Sequence, residues 1–189
     1  MDASLISSLR VALKNTLAGE LQGPTQIDTP RALDSSASAP AAGHTVNGDV
    51  TGDVTGDVTG IVSYTGSLVG TITLSMALDT ALGLAHRMAG LPMPDQAQAR
   101  IDALDDAAVD SIAEAVGELL AMVAMTALFS STAHDTAMAS CPTVIIGPGH
   151  RVASSPDTPT VQIRCVTELG ELLLDVSVRA STGSIPAAA

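Results

Sequence analysis

The feature that most constrains this chain is a run of three tetrapeptides. Gly48-Asp49-Val50-Thr51, Gly52-Asp53-Val54-Thr55 and Gly56-Asp57-Val58-Thr59 follow one another and end at Gly60. Four is a multiple of the strand period of two, so Asp and Thr share one face and Gly and Val the other. The pattern continues through Ile61, Val62, Ser63 and Tyr64, and Thr65-Gly66 turns it into a second run, Ser67 to Met76. That pair predicts a β-hairpin. The aspartate ladder lacks the Gly-Gly and nonapeptide spacing of calcium-binding repeats, so it reads as a long, twisted, solvent-faced strand. Its glycines specify register weakly, which suits edge pairing or exchange between protomers.

The remaining patterns fall in blocks. Leu5, Leu9, Leu13, Leu17 and Leu21 recur every four residues, with Ile6 widening the stripe, and predict an amphipathic helix over 3–22. Residues 23–45 are rich in Pro, Ser, Ala and Gly and read as a linker or mobile loop. Ala77 to Ala89 reads as a helix closed by Gly90 and Pro92, and the longest helical pattern spans about Ala103 to Ser130. The carboxylates of Asp102, Asp105 and Asp106 suit the positive end of that helix. Three β-like runs follow, at Thr143 to Ile146, Thr160 to Val166 and Glu171 to Val178; residues 181–189 form a tail without a packing face. Grouped strands with blocks of helices predict an α+β fold, an antiparallel sheet with helices packed on one face. The expected organisation is an N-terminal helix at 1–22, the linker, a core at 46–180 and the tail.

Composition narrows the partners. Eight Lys and Arg against 20 Asp and Glu leave a formal charge of −12, which repels phosphate backbones. Tyr64 and Phe129 are the only aromatic residues, too few to stack single-stranded bases. Nucleic acid and anionic membrane are therefore not expected partners. An acidic protein is suited to a positive patch on another protein. The most apolar stretch, Leu119 to Phe129, is well short of the ~20 residues that a spanning helix needs. No targeting segment is expected, since Arg10, Lys14 and Glu20 interrupt the first twenty residues. Cys141 and Cys165 cannot form a disulfide framework, and a reduced, cytoplasmic setting fits them. The four histidines are scattered, so no metal site is expected.

The helix over Val109 to Ser130 holds the candidate site. Ile112, Val116, Leu119, Val123 and Ala127 form its buried stripe. Glu114, Glu118, Ala121 and Met125 form another. At roughly 100° per residue Glu118 lies about 200° from Val116, so the second stripe faces away from the core. It offers partners two carboxylates one turn apart, with small or soft side chains beyond.

The chain resembles the CheC/CheX/FliY group of chemotaxis phosphatases, and CheX within it. The resemblance covers about Gly56 to Val178. It is carried by GDVTGIVSYTGSLVGTITLSM, the helix stretch GELLAMVA, the segment CPTVIIGPG and the closing strands VQIRCVTELGELLLDVSV. It implies docking of a CheY-type receiver whose aspartyl phosphate is hydrolysed. A helix Glu pairs with the receiver's active-site lysine, and an Asn three residues later orients the attacking water. This is catalysis by positioning, with any magnesium supplied by the receiver and no cofactor resident in the chain.

Glu118 falls on the family Glu and is the candidate catalytic residue. Glu114, Glu118, Ala121 and Met125 are the candidate docking residues. Ala121 occupies the Asn position, and a methyl group can neither donate nor accept a hydrogen bond. Met125 stands where glycine is common. Glu114 carries the wrong charge to replace the amide, and Thr126 points roughly 140° away from Ala121. The resemblance also implies a homodimer that shares a strand. A second reading is a non-enzymatic assembly domain that oligomerises through the Gly-Asp-Val-Thr strand.

Overall fold

A computed structural model gives the arrangement of these elements, describing residues 3–21, 24–33, 56–66, 68–93, 104–130, 138–150 and 158–180. In chain order they are α1 (Ala3–Leu21), β1 (Gln26–Ile27), β2 (Arg31–Leu33), β3 (Gly56–Thr65), β4 (Leu68–Met76), α2 (Leu78–Met88), α3 (Asp106–Ser130), β5 (Met138–Ala139), β6 (Thr143–His150), β7 (Thr160–Thr167) and β8 (Gly170–Ala180). The strands form one sheet in the order β1-β7-β8-β4-β3-β5. β2 also pairs with β7 and β6 with β3, and every pairing is antiparallel. The chain has the expected α+β fold.

Register explains the core. Val62, Ile72, Val176 and Val161 stand in one row across β3, β4, β8 and β7. Gly60, Leu74, Leu174 and Ile163 form the next row, and Val58, Met76, Leu172 and Cys165 the third. The side chains of all three rows are buried, because each row points to the face that the helices cover. At Gly60 the missing side chain lets α3 close in. A Cβ there would lie 3.1 Å from both Leu120 Cδ2 and Val116 Cγ1. On α1, Leu5, Leu9, Leu13, Leu17 and Leu21 are all buried, packed toward α3 and α2.

Helix ends follow local chemistry. The Asp105 carboxylate accepts the Ala108 N–H at 2.8 Å and so caps α3. Asp57 Oδ2 accepts the Leu78 N–H at 3.4 Å at the start of α2. α2 closes where Gly90 turns to a φ of +67°, with His86 Nδ1 donating to the Pro92 carbonyl at 2.8 Å.

The opposite face of the sheet carries polar pairs. Thr59 and Ser75 hydroxyls meet at 3.0 Å, Thr160 and Ser177 at 3.1 Å, and Gln162 Nε2 donates to Asp175 Oδ1 at 2.9 Å. Here the third Gly-Asp-Val-Thr copy departs from the solvent-faced reading. Gly and Val do share the inner face, yet Thr59 on the outer face is fully buried. It stands in register between Ser75 of β4 and Ile145 of β6, so β3 is an interior strand. The third copy therefore has no free edge to offer a second protomer. The first two copies, and the tail at 181–189, lie outside the described residues.

Two further expectations are corrected. The segment read as a linker contributes β1 and β2 to the sheet, both paired with β7. Arg164 of β7 makes a two-point pair with Glu171 of β8 (2.8 and 2.6 Å) and reaches Asp28, just after β1, at 3.4 Å. In addition, α3 has 25 residues and is long and apolar enough to cross a membrane by length and composition. The reading of Leu119 to Phe129 alone missed this because it stopped short of the apolar turns on the N-terminal side. Half of the helix's most apolar window is buried, and packing against α1 and the sheet accounts for its apolarity.

The two thiols differ sharply. Cys165 is fully buried in the third core row and Cys141 is exposed. Burial, aided by the nearby Asp28 charge, pushes the Cys165 thiol up to about 12 from an ordinary 9.0. A thiol reagent at neutral pH is expected to modify Cys141 promptly and Cys165 only after unfolding. The folded value lies above the unfolded one, so the neutral thiol's contribution is complete below pH 9.0 and is lost as pH rises toward 12. Reagent uptake with and without denaturant, followed by mass spectrometry, checks the order of labelling.

Candidate functional site

α3 is packed on two sides. Val116 and Leu120 lie over Gly60 of β3, and α1 packs along the same helix. This buries Ile112, Ala115, Val116, Leu119, Leu120, Val123, Ala124, Ala127 and Leu128. The expected stripe is therefore present but doubled in width, because the helix is held between the sheet and α1 rather than resting on one surface. What remains outward is narrow. Glu114 and Glu118 are exposed, Ala121 is half-buried, and Met125 is 41% exposed.

The outward strip borders an open groove with a volume of about 380 Å³. Ala113, Glu114, Gly117, Glu118 and Ala121 form its helix side, and Pro142 and Val144 at the start of β6 form the opposite wall. Three of the four candidate docking residues thus line one groove; Met125 lies one turn beyond Ala121 and is not in the lining. A Cβ at Gly117 would sit 3.8 Å from both Pro142 and Val144, an ordinary contact. Packing therefore does not require a glycine here, and its effect is to keep the groove floor open. Sequence reasoning missed the strand wall. Only the placement of β6 beside β3 brings Pro142 and Val144 opposite the helix, and residue spacing carries no signal for that.

Electrostatically the site is simple. Among the described residues no hydrogen bond or ion pair engages Glu118, and no metal-ligating cluster of three or more side chains occurs. The two carboxylates are acceptors only, one turn apart at the groove rim. The five other lining residues carry no polar side-chain atom. The arrangement can receive a basic group at Glu118 and an apolar or shape-matched surface over Ala121.

The family sequence model described as chemotaxis phosphatase CheX matches residues 58–165, more than half of the 189 residues. The chain belongs to the CheX family. Solved structures agree on the fold. The CheX protein from Desulfovibrio desulfuricans superposes with a TM-score of 0.69 at 20% identity, covering 93% of this chain and 99% of that one. A structure of the CheX–CheY–BeF3–Mg complex from Borrelia burgdorferi gives 0.68 at 16% identity, covering 92% and 97%. FliY from Thermotoga maritima gives 0.57 at 19% identity, covering 92% and 86%. No curated protein matches the sequence. The CheX match spans most of β3, then β4, α2, α3, β5, β6 and most of β7, and so includes both walls of the groove.

Proposed function

We propose that this CheX-family chain docks a CheY-type receiver through the α3 face of Glu114, Glu118, Ala121 and Met125, and that it lacks efficient hydrolysis of the receiver's aspartyl phosphate. The observation that carries the reading is the pairing of two adjacent outward positions. Glu118 stands exposed at the groove rim with no partner among the described residues, and one turn on, Ala121 places a methyl group where the family amide is expected. A relative in this fold has been crystallised with CheY, BeF3 and Mg, and beryllofluoride is a chemical stand-in for a phosphoryl group. That partner type fits the exposed carboxylates here, since a receiver's catalytic lysine supplies the complementary charge. Glu118 acts as the lysine acceptor and orients the docked receiver. Any magnesium belongs to the receiver. Homodimerisation is part of the same proposal, and sedimentation of the free chain at micromolar concentration tests it separately.

The test is binding. Glu118→Lys sets two like charges face to face and is expected to weaken receiver binding by at least about tenfold, with the fold unchanged because the side chain is exposed. Titration calorimetry with a beryllofluoride-activated receiver measures it. Equal affinity of wild type and variant would refute docking by this face.

A further inference from the structure

We infer that the docked chain prolongs the life of the partner's aspartyl phosphate, acting as a cap that keeps water from the phosphoryl group. The inference rests on the docking reading above and assigns its regulatory sense. Loss of the phosphoryl group requires a water oxygen to form a bond to phosphorus while the bond from phosphorus to the Asp oxygen breaks. A proton leaves the water, and the products are inorganic phosphate and a free carboxylate. The water must lie in line and be held there by a donor or an acceptor.

Among the described residues the groove offers no such group where it would be needed. Ala113, Gly117, Ala121, Pro142 and Val144 contribute no side-chain donor or acceptor. Glu118 is committed to the partner's basic group. Glu114 lies a further turn away from Ala121, and its negative charge repels a phosphoryl dianion. On the other side of Ala121 stands Met125, whose thioether is a soft, weakly accepting surface. Nearby hydroxyls do not fill the gap. The Ser140 hydroxyl accepts the Ser63 N–H and donates to the Cys141 carbonyl, each at 3.1 Å. Thr143 pairs in register with Ile61 and so points to the outer face of the sheet. A phosphoryl group covered by this surface meets carbon in place of solvent, which slows its spontaneous hydrolysis.

The experiment phosphorylates CheY-type receivers from the same genome with a small-molecule phosphodonor and removes the donor. Decay of the aspartyl phosphate is then followed with and without saturating full-length protein. Binding of the same receivers in beryllofluoride form is measured in parallel. The expected result is a half-life about fivefold longer with the wild-type chain and unchanged with Glu118→Lys. Binding without any lengthening, or with shortening, overturns this inference and leaves docking standing. Lengthening that persists in Glu118→Lys overturns it too, since the effect would then arise elsewhere. Absence of binding by every receiver overturns the docking reading, and this inference with it.

Discussion

Gly70→Val is expected to leave the domain unable to reach its native state. Gly70 of β4 is paired with Tyr64 of β3 on one side and Val178 of β8 on the other. The Tyr64 ring lies across it, and its hydroxyl donates to the Ser177 carbonyl at 2.7 Å. A Cβ at position 70 would fall 1.9 Å from that carbonyl oxygen and 2.4 Å from the tyrosine hydroxyl. Neither atom can yield cheaply. The carbonyl is backbone, and Tyr64 is fully buried. Displacing the ring forfeits packing worth about 3–5 kcal/mol for a large buried aromatic. A broken bond to a buried carbonyl adds about 1–3 kcal/mol. That total is comparable to the roughly 5–15 kcal/mol stability of a whole domain. Tyr64→Phe separates the two contributions, since it removes the hydrogen bond and keeps the ring. It is expected to lower stability by about 1–2 kcal/mol while the domain stays folded. Denaturant titration of Tyr64→Phe, and far-UV circular dichroism of Gly70→Val, check both. A native-like spectrum and cooperative unfolding for Gly70→Val would refute the steric account.

The second large effect is a gain. Ala121→Asn is expected to raise the loss of aspartyl phosphate from a bound receiver by at least about a hundredfold over the wild-type chain. Position 121 is half-buried at an open groove, so an amide can enter without displacing core atoms. The helix pays only about 0.5 kcal/mol in propensity, and α3 keeps its buried side. The amide adds a donor and a neutral acceptor beside a lining whose only polar side chains are two carboxylates, and water can then be held in line. The substitution therefore reverses the sign of the chain's effect on phosphate lifetime. Phosphate release from a saturated complex reads it directly. Tight binding with no acceleration would place the missing function elsewhere than in the lost amide.

Much of the fold was legible because it obeys simple periods. The leucine stripe of α1, the β3–β4 hairpin and the alternation of Leu172, Leu174, Val176 and Val178 each follow from one element's own pattern, and the two apolar stripes are buried as predicted. What the sequence hid are relations between elements. β1 and β2 are two and three residues long and owe their strand geometry to β7 rather than to their own composition. Thr59 is polar by type but buried by its two neighbours in the sheet. Leu120, Ala124 and Leu128 fall outside the predicted stripe yet are buried, because α3 is held between the sheet and α1, which one-stripe arithmetic cannot anticipate. The candidate site divides the same way. Angular spacing on α3 correctly turned Glu114 and Glu118 outward, whereas the facing wall of Pro142 and Val144 emerged only from strand order.

The hydrogen bond from Tyr64 to Ser177 has a spectroscopic consequence. The chain contains no tryptophan and a single tyrosine. Its near-ultraviolet signal therefore comes almost wholly from one ring wedged between three strands, a local gauge of whether that junction is intact. For the same reason the protein is dark where indole emits, so a tryptophan in any bound partner can be watched without background.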